Sequence, residues 1–208
     1  MIYRLWSETQ KFIANHVLLF IFLLVLFSIS MLFGAIVVQA LQLNQKSDLY
    51  VYFNNFLSYR GQLQMPASQL FFETLSQNMK YLGLLWILGL SVIGLPVIVI
   101  MVFVKGFSLG FTIAFLVEQY SYKGLQLAMG VVLPQNLILV PVTLFIGVSG
   151  IVFSIQLIQN RILQAGESLF SKFVHYLMMI VISFLLILLA SFYEAYFAPY
   201  FYRILEIV

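Results

Sequence analysis

Long apolar runs alternate with short polar stretches along most of this chain, and the runs are of membrane-crossing length. The first, 17–41, holds 25 residues without a charge. As a helix at about 1.5 Å per residue it is roughly 37 Å long, enough to cross a ~30 Å hydrocarbon core with some tilt. Between 42 and 80 the pattern turns amphipathic. Leu49, Tyr52, Phe53, Phe56 and Leu57 share one helical face, opposite Asp48, Asn54, Asn55 and Ser58. After a break at Gly61 to Pro66, Leu70, Phe71, Leu75 and Met79 stand opposite Glu73, Gln77 and Lys80. Two short amphipathic helices are expected here, lying on the bilayer or a partner or packed back on the bundle.

A second span is expected over 81–104, bent at Gly94-Leu95-Pro96, where a proline frees a backbone carbonyl. Lys105 stops that run. Residues 106–122 give a third span near the lower length limit, and Lys123-Gly124 is a turn. The stretch 125–158 has 34 residues without a charge, about 51 Å as one helix and too long for one perpendicular crossing. Leu133-Pro134-Gln135-Asn136 and Pro141 lie inside it. The expected element is therefore broken: a re-entrant or half helix at 125–136, then a fourth span at 137–158. A polar loop at 161–172 and a fifth span at 173–197 follow. The fold class is thus all-α, a polytopic bundle of five spans forming a single membrane domain over 1–208.

Composition excludes the soluble alternative. Of 208 residues 63% are apolar and 8% charged, with a mean hydropathy of +1.06; soluble domains carry about 25% charge. Many of the 12 tyrosines flank polar residues, as an interfacial belt does. With no cysteine, disulfides and thiolate chemistry are ruled out, and a dispersed net charge of +3 gives no case for nucleic acid. Arg4 and Lys11 precede the first run like a signal-peptide start, but its apolar region is longer than the 7–15 residues typical of a cleaved signal, so an uncleaved anchor is expected. Five lysines and arginines fall on either side of the expected topology. Only the basic pair before the first span favours a cytoplasmic N-terminus.

The chemistry-bearing residues form no catalytic constellation. His16 and His175 sit at span starts, where an interfacial ring is the ordinary explanation. No Ser-His-acid set, paired carboxylates, HExxH or Walker pattern occurs, and the acids fall in loops or near span ends. A non-enzyme without cofactor or metal is expected. Packing signals are clearer. Gly106, Gly110 and Ala114 lie four apart, as do Ser30 and Gly34, with Gly147 and Gly150 on another face. Such stripes let helices approach closely and suit a tight bundle or a homo-oligomer. Lys105 is expected at the cytoplasmic end as a snorkelling anchor. Gln135 and Asn136 need partners in hydrocarbon, and breaks at Pro134 and Pro141 supply carbonyls, so these four form a structural lock between helices. The other reading is a substrate or ion site at a broken helix, as in transporters.

Several segments resemble the stage II sporulation protein M family. They are Asn78-Met79-Lys80-Tyr81-Leu82-Gly83-Leu84-Leu85-Trp86-Ile87-Leu88-Gly89, Ile93-Gly94-Leu95-Pro96, Val104-Lys105-Gly106, Gly110-Phe111-Thr112 and Leu133-Pro134-Gln135-Asn136-Leu137, with Leu32-Phe33-Gly34-Ala35, Gln45-Lys46 and Asp48-Leu49 upstream. The likeness covers nearly the whole chain. It implies five spans, a polar loop outside the cytoplasm, and a place in the engulfment complex of endospore formation with two peptidoglycan-cutting partners, sporulation proteins D and P. The wider family looks like it carries Pro-His-Gly-x-x-Glu-x-Pro at the break. Here Gln135, Asn136 and Leu139 replace His, Gly and Glu, while Pro134 and Pro141 remain. The expectation is a membrane scaffold at the septum, contacting its partners through Leu49, Tyr52, Phe53, Phe56 and Leu57. Its rival is a small permease-type subunit with a site at the broken helix.

Overall fold

The computed structural model describes residues 10–62, 66–163 and 169–200. Helix is what these residues must form, since a backbone in hydrocarbon has to satisfy its own N–H and C=O groups. The elements are α1 (Val17–Ala40), α2 (Leu43–Gln62), α3 (Ala67–Gly89), α4 (Gly94–Leu127), a π-helical turn (Ala128–Val132), α5 (Leu133–Leu163) and α6 (Leu169–Tyr196). Among the described residues, Val17–Ala40, Gly94–Gln159 and Tyr176–Tyr200 are long and apolar enough to cross a membrane. The molecule is a helical membrane bundle.

Contacts give the direction of each helix. Gly106 faces Phe27 and Ser30, Gly110 faces Met31, and Gln39 shares a groove with Glu118, so α1 and α4 run parallel. Trp86 meets Tyr176 and Asn78 meets Ser191, so α3 runs against α6. Gly147 lies by Val102 and Gly150 by Ile98, which sets α5 against α4. Five long helices therefore alternate in direction: α1, α4 and α6 one way, α3 and α5 the other. One end of the bundle carries His16, Ser91 and Tyr176; the far end carries Leu41, Tyr120 and Tyr196. Leu23, Leu85, Ile98, Val102 and Val148 are sealed between helices, while Leu18, Ile36 and Leu189 point outward to hydrocarbon.

The reversals fall elsewhere than the sequence pattern suggested. Residues 81–104 are not one bent span, because the chain turns through Leu90–Ile93 and α4 starts at Gly94. Pro96 sits in the first turn of α4, where an N–H has no helical acceptor in any case. Gly94 packs against the Leu88 carbonyl, which a β-carbon would strike. The hydroxyl of Ser154 lies 2.9 Å and 3.1 Å from the carbonyls of Gly89 and Ser91 and covers the open end of α3. Consequently α4 runs straight past Lys105, and 106–122 is not a separate span.

The second fold-back comes at Ser121 (φ 50°, ψ −122°), not at Pro134. From there helix continues to Leu163 through the π turn, so 125–136 is no separate half helix. A π turn shifts the hydrogen-bond register by one residue, which accommodates the donor missing at Pro134. At the other boundaries, the second amphipathic set (70–79) is the first half of α3, continuous with its apolar half. Helices α5 and α6 likewise extend into the expected polar loop from both sides.

Candidate functional site

A polar cavity of about 270 Å³ lies between α3, α4, α5 and α6. α3 contributes Thr74, Gln77 and Asn78; α4 contributes Lys105, Ser108 and Thr112; α5 contributes Gln135 and Asn136; α6 contributes Glu194. Periodicity puts them there, since 74 and 78, 105, 108 and 112, and 135 and 139 recur at three or four residues on their helices. The polar groups of α3 precede its apolar half, so the cavity lies in the half of the bundle toward the far end.

Lys105 marks its depth. It stands eleven residues after Gly94, roughly 17 Å along the axis at about 1.5 Å per residue and near the middle of the span. It is therefore not an anchor at the membrane surface. A charge at bilayer centre costs about 2.5–3.5 kcal/mol without compensation. The ammonium lies 5.1 Å from the centroid of the Tyr81 ring, and the Glu194 carboxylate lines the same cavity. The Tyr81 hydroxyl donates to the Met101 carbonyl at 2.9 Å, which holds the ring in place.

Glu194, in the last turn of α6, is an acid that lines this cavity. Its carboxylate accepts a hydrogen bond from the Gln135 side-chain amide. Asn136 donates to the Val132 carbonyl at 2.8 Å. The neighbouring Tyr193 hydroxyl donates at 2.7 Å to the carbonyl of Gly130, four residues before Pro134 and so without its α-helical donor. Asn78 reaches Ser191 at 3.5 Å. Thr74 differs from all of these: it is 2% exposed, and its hydroxyl oxygen has no hydrogen-bond partner among the described residues. Pro134, Gln135 and Asn136 therefore belong to one polar cluster with α6, whereas Pro141 faces outward.

Sequence reasoning missed Thr74, Asn78, Tyr81 and Glu194. The available signal was that Glu194 falls inside a stretch apolar enough to span, Tyr176–Tyr200, where an ionisable group is functional or paired.

The small residues pack α1 on α4. A β-carbon at Gly106 would strike Ser30 and the Phe27 carbonyl, at Gly110 the Met31 backbone, and at Gly34 the backbone of Phe107 and Phe111. Ala114 lies one turn further along the same groove. Gly147 and Gly150 face Ile98, and Gly150 also meets Gly89.

α2 lies at the far end. Lys46 pairs with Glu118, Tyr50 meets Tyr120 at 5.9 Å, and Phe53 meets Phe115 at 5.8 Å and Tyr120 at 6.1 Å. Of the expected partner face, Leu49 and Phe53 are half-buried and turned toward the bundle, whereas Tyr52 is 75% exposed. The side chains of Phe56, Leu57 and His175 lie outside the described residues. The His16 ring hydrogen-bonds the Phe12 carbonyl at 2.9 Å.

No curated protein and no solved structure matches the chain. The model of stage II sporulation protein M matches residues 23–199, so the chain belongs to the SpoIIM family of sporulation-related membrane proteins.

Proposed function

We propose that this protein is a non-catalytic scaffold of the cell membrane that recruits peptidoglycan hydrolases and localises them at the septum during engulfment. Its partners would be sporulation proteins D and P, and its N-terminus would be cytoplasmic. The observation that carries this reading is α2. An amphipathic helix is tied to the end of the bundle by the Lys46–Glu118 pair and the Phe53 ring, with Val51 and Tyr52 left facing outward. A helix so held presents one fixed face, which lowers the ordering cost of docking a partner. Exposed aromatics are the side chains that anchor protein interfaces.

The residues to alter follow from this placement. Replacing Val51 and Tyr52 together by Ser leaves the Phe53 contacts untouched, so the protein should insert and accumulate normally. Co-purification of the hydrolases from detergent-solubilised sporulating cells should fall at least tenfold. Unchanged recovery of both hydrolases would mean that this face of α2 does not hold them. The alternative, a permease-type subunit, draws on the polar cavity and is separated by solute flux into reconstituted vesicles.

A further inference from the structure

The cavity at Lys105 holds more hydrogen-bonding capacity than the protein itself uses. Thr74 is the clearest instance: the residue lines the cavity, and its buried hydroxyl has no partner among the described residues. Leaving such a group unpaired costs about 1–3 kcal/mol, so an occupant that completes it is favoured. The side-chain oxygen of Asn136 is likewise left over once its amide nitrogen has donated to Val132. Ser108 and Thr112 have committed their protons to the Val104 and Ser108 carbonyls, which leaves their lone pairs facing the same space.

Charge narrows the occupant. Among the described residues the cavity is lined by one cation, Lys105, and one anion, Glu194, which balance each other. An ion of either sign would leave a net charge at bilayer depth, whereas a solute carrying both signs keeps the balance. The two charges also lie at different depths. Asn78 contacts Ser191, three residues before Glu194, and Thr74 is one turn further out on α3, so Thr74 lies at the level of Glu194. Lys105 lies deeper, under the Tyr81 ring. At about 270 Å³ the space is below the ~300–1,000 Å³ of drug-sized sites and suits a solute of amino-acid size.

We propose that this cavity binds a small zwitterion bearing an ammonium and a carboxylate, with the carboxylate on Lys105 and the ammonium on Glu194 and the Thr74 hydroxyl. The site opens in the same half of the bundle as α2, and its occupancy is independent of the scaffold reading.

The test uses the full chain, purified and reconstituted in lipid nanodiscs, titrated calorimetrically with L-alanine and γ-aminobutyrate. Acetate, ethylammonium and glycerol serve as single-charge and neutral controls at matched ionic strength. At least one zwitterion should bind, and at least tenfold more tightly than any control. Thr74→Val is nearly isosteric and removes only an unpartnered hydroxyl, so the variant should fold as the parent does and bind that zwitterion at least tenfold more weakly. Lys105→Met should abolish binding; because it leaves Glu194 without its counter-charge, its fold is checked by size-exclusion profile, and Thr74→Val decides if it fails. The proposal is overturned if neither zwitterion binds, if a control binds equally well, or if Thr74→Val leaves the affinity unchanged.

Discussion

At φ 50° and ψ −122°, Ser121 holds a backbone conformation that only glycine adopts without strain, and among the described residues it is the single non-glycine with positive φ. The turn it makes reverses the chain between α4 and the segment leading to α5, with Gly124 pressed against the Leu116 carbonyl behind it. Ser121→Gly should therefore raise stability by about 1 kcal/mol, read as a later midpoint in detergent-denaturant unfolding. An unchanged or earlier midpoint would mean that the turn is not strained. No sequence pattern marked this residue, since Lys123-Gly124 carried the visible turn signal. Lys105 teaches the complementary lesson. A lysine after an apolar run reads as the end of a span, and only the Tyr81 ring of α3 and the polar cavity shared with Glu194 of α6 give it surroundings inside one.

Between elements, α1 and α4 make the closest long contact, and the small-residue spacing that announces it was legible in the sequence. Hydrocarbon outside a bundle is as apolar as leucine inside it, so helices gain little from hiding apolar surface and associate through close packing. Ser30 and Gly34 on one helix meet Gly106 and Gly110 on the other. Spacing alone left open whether these stripes served a second copy of the chain or each other. Gly110→Leu drives a side chain into the Met31 backbone and should cost about 1–3 kcal/mol, measured by the same unfolding assay. A parent-like midpoint would show that α1 and α4 are not in contact. The Pro134 region was half legible. The need of Gln135 and Asn136 for partners followed from their chemistry, but the partners, Glu194 and the Val132 carbonyl, did not. Gln135 and Leu139, one turn apart on α5, both line the cavity.

For the molecule as a whole, alternating helix directions make a topological prediction that a chain without cysteine allows to be tested cleanly. Single cysteines at Asp48 and Lys123 should react from one side of the membrane with an impermeant maleimide, and a cysteine at Val92 from the other. Labelling of 92 and 123 from the same side would break the five-helix arrangement. Sequence by itself determined the class of this protein: charges too few to coat a globule, and apolar runs long enough to cross a bilayer. That outcome depends on local composition and length, which no folding partner changes. Tertiary structure decided where the chain turns, which acid points inward, and that Thr74, Lys105 and Glu194 surround one cavity. Those facts rest on groups up to 120 positions apart meeting across helices, and no local pattern along the chain encodes such a meeting.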